Sequence, residues 1–338
     1  MTTTTVSSDL GDHDDVASDP DASVRAGVFL PTMSAPGRPL DDVVAASRLA
    51  EDVGLESVWV VEQLVAGTGA PVLDATAALA AAAAATDAIA LGFGVMIAPL
   101  RRPAWAAKQV ATLQHLSGGR LLLGIGAGGD RHELSWDAAG ARRRQRGRRT
   151  DELLDALPAL LTGGPTSVDG LDGARATVRL SPPAPVPPLL IGGMSDAALR
   201  RAVRVGADLF LLPVPPDGVR EAVARATELA EAAGRPVPGI TTGLLAAFDD
   251  DPALPGPDGL RRALTDPDGQ FGMPDDAVDE MLVVGDVEVI ARRIAELGEA
   301  GATRVVLSPP AGDWAHQVRR FADASLLAGT TSRDRSVP

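Results

Sequence analysis

Two glycine-rich segments carry the residue types that could bind a flat or phosphorylated ligand. The first, LSGGRLLLGIGAGG at 116–129, follows a helical pattern, contains an apolar run and ends in four closely spaced glycines, Gly124, Gly126, Gly128 and Gly129. Glycine lets a ligand approach the backbone closely, because no Cβ intervenes. A tight turn of small residues is the alternative interpretation. A dinucleotide-binding motif is not indicated, because no acidic residue follows at the end of a second strand.

The second segment, IGGMSDAALRRA at 191–202, places Gly192 and Gly193 directly before a pattern of helical spacing. Ser195 or Asp196 can cap that helix. Free backbone amides at a helix start, next to glycines and a hydroxyl, form an anion site that suits a phosphate group. An ordinary capped helix explains the same residues equally well.

Residues for acid–base chemistry are few. Glu62 and Gln63 follow an apolar run that ends at Val61, and His132 lies just after the first glycine-rich segment. A carboxylate or an imidazole at a strand end can exchange a proton with a substrate, and a solvated surface residue is the alternative for each. The chain has no cysteine, no histidine pair at metal-ligand spacing and no Gly-x-Ser-x-Gly elbow. We therefore expect no metal site, no disulfide and no serine or cysteine nucleophile.

Six arginines form the densest positive cluster in the chain: Arg142, Arg143, Arg144, Arg146, Arg148 and Arg149. Such a run is typical of a solvated face or of ion pairs at a helix entry. Paired recognition of carboxylates or phosphates on an anionic ligand is the alternative.

The net charge of −14 is concentrated in two segments. Residues 1–24 carry six Asp and no Lys or Arg, and residues 249–280 carry ten acids against Arg261 and Arg262. The rest of the chain is balanced, so the charge does not favour nucleic acid as a partner. We expect disorder at 1–24 and 331–338. With no signal peptide and no apolar run long enough to span a bilayer, the sequence predicts a cytoplasmic protein without a membrane partner.

Apolar runs alternate with helical patterns eight times from about Arg25 onward. The runs are nearly continuous, which is typical of parallel strands covered by helices. The predicted strands are Gly27–Pro31, Ser57–Val61, Ile89–Met96, Leu121–Gly126, Leu189–Ile191, Asp208–Leu212, Ile240–Phe248 and Arg304–Leu307. The predicted helices are Leu40–Val53, Val72–Ala84, Pro103–Leu116, Arg148–Leu161, Ser195–Val205, Gly218–Ala233, Asp286–Ala300 and Trp314–Leu326.

Eight such units predict an α/β fold, a (β/α)8 TIM barrel, with a doubly wound open sheet as the alternative. Residues 25–330 then form a single domain with two insertions, at 163–188 and 249–285. In a barrel of this kind the chemistry belongs at the carboxyl ends of the strands.

Four segments together resemble the bacterial luciferase-like family of flavin- and deazaflavin-dependent oxidoreductases. They are AEDVGLESVWVVE at 50–62, RRPAWAAKQVATLQHLSGGRLLLGIGAGG at 101–129, PPLLIGGMSDAALRRAVRVGADLF at 187–210 and GDVEVIARRIAELGEAGATRVVL at 285–307. The second is the most specific, because a helix, a Ser-Gly-Gly-Arg turn, a strand and a glycine-rich end follow in the family's order. The resemblance extends from about Arg25 to Ala328 and implies a (β/α)8 barrel.

The resemblance also implies which residues bind a cofactor. Gly94 and Val95 match the strand-three position where family members often have a non-prolyl cis peptide against the flavin ring, and Gly126 and Gly128 match the strand-four end beside the cofactor. The segment that holds the cofactor phosphate corresponds to Gly192, Gly193, Met194 and Ser195.

Two departures from the glucose-6-phosphate-type deazaflavin dehydrogenases concern the substrate. Those enzymes have an Asp-His pair after strand two and a Glu after the strand-four glycines. At the positions that look equivalent, this chain has Glu62, Gln63 and Gly129 instead. A sugar-phosphate substrate is therefore not expected. The charge of 249–285 favours a neutral or apolar substrate instead.

The resemblance implies an oxidoreductase that uses a reduced flavin or the deazaflavin coenzyme F420 for hydride transfer to or from a small organic substrate. The alternative is a reduced-FMN-dependent monooxygenase, and a separate flavin or deazaflavin reductase is then a partner. Abundant Ala, Gly and Pro, with Lys108 the single lysine among 31 basic residues, indicate a GC-rich genome. Deazaflavin is favoured because that branch of the family is frequent in GC-rich organisms and because arginines 142–149 offer contacts for its oligoglutamate tail. A flavin-free phosphate-binding lyase or isomerase, and a member that binds cofactor without turnover, are further alternatives. Homodimers are common in the family.

Overall fold

The computed structural model of the chain describes residues 24–34, 40–66, 71–129, 133–169, 174–266 and 271–329. Apart from Val24, the segments for which disorder is predicted lie outside the described residues. The strands are β1 Arg25–Phe29, β2 Ser57–Val60, β3 Ala90–Ile97, β4 Leu121–Gly126, β5 Thr166–Asp169, β6 Arg175–Val178, β7 Leu189–Gly192, β8 Asp208–Leu211, β9 Ile240–Phe248, β10 Val283–Gly285 and β11 Arg304–Ser308.

Eight of these strands close into a parallel barrel. The order around the barrel is β1-β2-β3-β4-β7-β8-β9-β11, and β11 pairs with β1. The step that decides between a barrel and an open sheet is the β8–β9 pairing, with Leu209 opposite Ile240. The predicted barrel is therefore confirmed, and the doubly wound sheet is wrong.

Helices follow the barrel strands and cover the outer face. They are α1 Val43–Asp52, α2 Ala75–Ala85, α3 Pro103–Ser117, α4 Glu133–Ala138, α5 Arg146–Leu161, α6 Asp196–Val205, α7 Pro216–Ala233, α8 Pro257–Thr265, α9 Asp275–Met281, α10 Val287–Glu299 and α11 Trp314–Leu327. Side-chain caps determine where several helices begin. At the start of α2, for example, Asp74 accepts from the Ala77 N–H at 2.8 Å. No helix in the described ranges has the length and apolarity to cross a bilayer.

The barrel interior is a packed core. Outward-facing residues such as Val28, Val58 and Leu91 pack against the helices, whereas a separate inner cluster contains Trp59 and Phe210, whose ring centroids are 5.1 Å apart. The inner cluster is completed by Leu190 and Val306, with Phe29, Val95 and Leu122 packed against it. Because the centre is filled, a ligand must bind above it, at one end of the barrel.

A buried ion pair closes the amino-terminal end of the barrel. Arg304 is 3% exposed and donates to both carboxylate oxygens of Glu56, at 2.8 and 3.0 Å, and to Thr241 Oγ1 at 3.1 Å. Burial by itself would raise the pKa of Glu56, but the neighbouring Arg304 outweighs burial and holds that pKa below its ordinary value. This end of the barrel is thus occupied by structural contacts.

Additional elements lie in the two segments predicted as insertions. Between α5 and β7, strands β5 and β6 form an antiparallel hairpin. Between β9 and α10, helices α8 and α9 pack their Leu264 and Val278 on Leu245 of β9, and β10 pairs with the end of β9. The second segment therefore covers the β9 side of the carboxyl-terminal mouth.

Candidate functional site

The carboxyl-terminal mouth has an apolar floor made of three partly exposed residues, Phe29, Gly94 and Val95, which we call the mouth platform. Phe29 meets Phe210 edge-on, with ring centroids 6.2 Å apart. A Cβ on Gly94 would lie 2.9 Å from Phe29 Cε1 and 3.0 Å from Phe210 Cζ, so any larger residue there would have to displace an aromatic ring. The Gly94–Val95 peptide bond is cis, as the resemblance implies.

Val95 lies against glycines from two neighbouring strands. A Cβ on Gly126 of β4 would lie 2.5 Å from Val95 Cγ2, and one on Gly192 of β7 would lie 3.1 Å from the same atom. The pairing of β3 with β4 shifts register between Phe93 and Met96, and such an irregularity redirects side chains. The structure therefore brings Gly94, Val95, Gly126 and Gly192 together.

Gly128 lies beside this group. Its φ of +74° favours glycine, a Cβ there would lie 3.0 Å from both Ile97 Cγ2 and Trp136 Cζ2, and its carbonyl accepts from Arg146 at 3.0 Å. Trp136 was not predicted. Its indole ring is buried, and none of the described residues is a hydrogen-bond partner of its Nε1.

The predicted phosphate segment lies at the start of α6. Gly193 has a φ of +109° and donates its N–H to the Phe210 carbonyl at 3.0 Å, so that amide is already satisfied. Met194 is exposed, and Ser195 caps α6 by accepting from the Ala198 N–H at 3.3 Å. A Ser hydroxyl that accepts a hydrogen bond still has a proton to donate to a ligand.

Sequence reasoning missed the arginine that neutralises this helix start. Arg225 of α7 donates to both carboxylate oxygens of Asp196, at 2.8 and 3.1 Å. These hydrogen bonds from Arg225 are the main cause that lowers the pKa of Asp196 below its ordinary value. No local pattern connects two residues that lie on different helices.

Glu62 lies in a nearly buried ion pair. Its Oε2 accepts from the Ile97 N–H at 2.6 Å, and both carboxylate oxygens contact the guanidinium of Arg101. The two side chains are 7% and 16% exposed. Burial would lower the pKa of Arg101, but the hydrogen bond and charge of Glu62 raise it above its ordinary value. Both oxygens of the Glu62 carboxylate are thus occupied by these partners. A role of Glu62 in proton exchange with a substrate stays a prediction.

A cavity of about 370 Å³ borders this ion pair on the side of the β2–α2 loop. Its lining mixes charged, amide and apolar side chains: Glu62, Gln63, Leu64, Val72, Asp74, Ala75, Leu100 and Arg101. His132, the other predicted acid–base residue, lies outside the described residues.

The arginine cluster divides into two parts. Arg142, Arg143 and Arg144 are exposed. Arg148 is exposed as well and pairs with Glu152. Arg146 and Arg149 are half-buried; Arg146 binds the Gly128 carbonyl, and Arg149 donates to the Arg101 carbonyl at 3.4 Å. Contact with a ligand tail is thus a prediction for the first three.

Comparison with known proteins places this geometry in a family. The family model for luciferase-like monooxygenases matches residues 24–254, well over half of the chain. The chain belongs to the luciferase-like monooxygenase family. This membership confirms the resemblance inferred from the four sequence segments.

Two curated members of the family show how far the sequence similarity extends. The chain is 34% identical over 205 residues to 4-hydroxyprotoasukamycin monooxygenase of Streptomyces nodosus subsp. asukaensis, covering 57% of this chain and 54% of that protein. It is 34% identical over 170 residues to the F420-dependent glucose-6-phosphate dehydrogenase of Beutenbergia cavernae, covering 49% and 50%. The matches span about half the length of these relatives.

Solved structures share the fold over most of both chains. An F420-dependent secondary alcohol dehydrogenase in complex with an F420-acetone adduct has a TM-score of 0.75 and 20% identity, covering 90% of this chain and 99% of that chain. The oxygenating constituent of 3,6-diketocamphane monooxygenase from Pseudomonas putida, in complex with FMN, has a TM-score of 0.71 and 19% identity, covering 92% and 98%. At such identities the similarity shows the fold alone.

Proposed function

We propose that this luciferase-like protein is an oxidoreductase that binds the deazaflavin coenzyme F420 at the barrel mouth and catalyses hydride transfer to or from a small, neutral organic substrate. The observation that carries the proposal is the mouth platform, an apolar floor whose Val95 lies against a glycine of β4, the strand next to β3, and a glycine of β7, one strand further round the barrel. A cleft with an apolar floor and few polar groups is the usual form of a cofactor site.

The residues at the mouth fit a flat ring with a phosphorylated tail. Met194 and Leu212 leave apolar side chains 38% and 74% exposed at the ends of β7 and β8, where a ligand would cover them. The Ser195 hydroxyl and the start of α6 suit a phosphate, since Arg225 neutralises Asp196. The Gly193 amide is excluded from this role because Phe210 accepts its hydrogen bond.

Bound at this position, a deazaflavin supplies a carbon centre that donates or accepts a hydride. The residues of this chain orient the cofactor and shield it from water. Phe29, Gly94 and Val95 support one face of a ring, the glycines of β4 and β7 admit its edge, and helices α8 and α9 cover the mouth near Leu245. Excluding water in this way strengthens polar contacts to the ligand.

Two sets of observations support deazaflavin in particular. One sequence relative, the Beutenbergia cavernae enzyme, is named for its use of F420, and Arg142, Arg143 and Arg144 are exposed within a cluster suited to a polyanionic tail. The chain has Glu62, Gln63 and Gly129 where the glucose-6-phosphate-type enzymes carry their acid–base groups, which argues against a sugar-phosphate substrate.

A reduced-FMN-dependent monooxygenase is the second candidate. It is favoured by the similarity to 4-hydroxyprotoasukamycin monooxygenase over more than half of this chain. This alternative needs a separate flavin reductase as a partner, whereas the first needs a deazaflavin reductase or a second substrate. A homodimer and a cytoplasmic location complete the proposal.

Titration of the purified protein with oxidised F420, oxidised FMN and reduced FMN, followed by absorbance and fluorescence, tests the proposal. We expect F420 to bind at least tenfold more tightly than either form of FMN. Tighter binding of reduced FMN would replace the proposal with the monooxygenase. Binding of none of them would favour the flavin-free phosphate-binding barrel, to be checked by titration with inorganic phosphate.

A further inference from the structure

The ion pair of Glu62 and Arg101 contacts the strand that carries the mouth platform. Glu62 follows β2, and its Oε2 accepts the N–H of Ile97, two residues beyond Val95. Arg101 lies just before α3, and its Nε donates to Gln109 Oε1 of that helix at 3.0 Å. The pair therefore connects the ends of β2 and β3 to the first turns of α3.

Glu62 binds the backbone of β3 at Ile97, at the end of an irregular stretch of that strand. The register of β3 against β4 shifts between Phe93 and Met96, and the residues within the shift are Gly94 and Val95. A strand whose ladder is interrupted bends more readily, and its backbone amides need other acceptors. Glu62 provides such an acceptor for Ile97 immediately after the shift.

The geometry of the pair suits a rigid support. A guanidinium held by both oxygens of one carboxylate has a fixed orientation, and Gln109 fixes it further from the helix side. Both side chains are largely buried, so solvent weakens the pair little. Arg101 in turn prevents the Glu62 carboxylate from swinging away from Ile97.

We propose that the Glu62–Arg101 pair positions the mouth platform, holding Gly94 and Val95 at the height and tilt at which a flat cofactor can lie on them. Glu62 is then a positioning residue, which acts through the backbone of β3. For cofactor binding the inference rests on the proposed function, whereas the effect on the backbone of β3 does not depend on it.

The same strand offers a matched control at its other end. Glu51 of α1 accepts from the N–H groups of Asp87, Ala88 and Ile89, at 3.1, 2.7 and 2.8 Å, just before β3. It is the same residue type, with several contacts to the backbone just before the same strand, but it lies at the end away from the mouth. Loss of Glu51 should destabilise the protein without changing the platform.

The first measurement is hydrogen exchange of the ligand-free protein, analysed in peptides that cover 87–91 and 93–100. In Glu62→Ala we expect exchange in 93–100 to be at least tenfold faster and exchange in 87–91 to be unchanged. In Glu51→Ala we expect the reverse. Glu62→Gln retains an acceptor for Ile97 but loses the charge, so its exchange should lie between wild type and Glu62→Ala. Unchanged exchange at 93–100 in Glu62→Ala would overturn the inference, whether or not any flavin binds.

The second measurement is F420 binding by the same variants, with the visible absorbance band of the bound cofactor as the structural signature. We expect F420 binding to shift the band in wild type and in Glu51→Ala, with Kd of Glu51→Ala within twofold of wild type. In Glu62→Ala we expect the shift to be lost and Kd to rise at least tenfold. Equal weakening in both variants would indicate a general loss of stability and contradict a positioning role. If wild type bound no F420 while exchange changed as expected, the proposed function would fail and the support of β3 would stand.

Discussion

Gly126→Ala tests whether the height of the mouth platform controls cofactor binding. The new Cβ would lie 2.5 Å from Val95 Cγ2, and its next neighbours, Val95 Cβ and the Met96 carbonyl oxygen, would be 3.6 and 3.9 Å away. The new Cβ thus clashes with one methyl group of Val95. Because Gly126 is not among the glycines with positive φ, alanine adds no backbone strain.

The size of the effect follows from this contact. Non-bonded carbon atoms prefer a separation of about 3.5–4.0 Å, so Val95 must move by roughly 1 Å. Overpacking of this kind costs about 1–3 kcal/mol in a closed core, and we expect about 1 kcal/mol here because Val95 is partly exposed and can move toward the mouth. A platform displaced by that distance should weaken F420 binding about tenfold, which corresponds to about 1.4 kcal/mol.

The assay is F420 titration combined with urea unfolding of each variant. Gly129→Ala is the matched control, because Gly129 lies three residues beyond Gly126 and a Cβ on it has no neighbour within 4 Å among the described residues. Adding Val95→Ala to Gly126→Ala leaves a Cβ–Cβ distance of 3.6 Å, so the double variant should bind F420 as tightly as Val95→Ala alone. Wild-type affinity in Gly126→Ala, or equal loss in Gly129→Ala, would refute the reasoning.

Two further predictions concern charged residues. Glu56→Gln leaves Arg304 buried without its counter-ion, so the free energy of unfolding at pH 7 should fall by about 3–5 kcal/mol in urea titrations. Since the pKa of Glu56 is lowered in the folded state, its contribution exists above the unfolded pKa near ~4.3 and disappears as pH falls through the folded pKa. The stabilities of wild type and variant should therefore converge in acid, and a constant difference down to pH 3 would contradict this linkage. Replacing Arg142, Arg143 and Arg144 together by Ala should abolish the preference for F420 with long over short oligoglutamate tails, because all three side chains are exposed. An unchanged preference in paired titrations would exclude these arginines from tail binding.

The barrel could be predicted from sequence because its signal is local and repeated. Each strand is a short apolar run, since both its outward and its inward side chains are buried, and each of the eight runs is followed by a helical pattern. The extra elements carry no such signal. Strands β5 and β6 are largely exposed, and helices α8 and α9 lie within a stretch rich in Asp, Gly and Pro.

The candidate site was only partly predictable, for a related reason. Gly126 and Gly192 are conspicuous in local sequence, but their common neighbour Val95 comes from a third strand and is brought to them by the barrel. Likewise Glu62 and Arg101 are 39 residues apart, and nothing in the spacing announces that they pair. Contacts across strands depend on closure and register, which a periodic pattern does not encode.

Glycines around the barrel axis leave space for large side chains from other strands. A Cβ on Gly92 would overlap the Trp59 ring, and one on Gly27 would lie 2.9 Å from Trp59 Nε1, so these glycines make room for the residue that fills the centre. One layer higher, Gly126 and Gly192 make room for Val95 in the same way.

The side chain at position 95 therefore belongs both to the packed interior and to the floor of the mouth. Its size sets how much space remains above it for a cofactor and a substrate. A larger residue there would fill the mouth from below, whereas a smaller one would let a ring sink toward Phe210 and away from the polar groups at the start of α6. The depth of the site thus follows from packing inside the barrel, while the loops at the mouth determine what enters it.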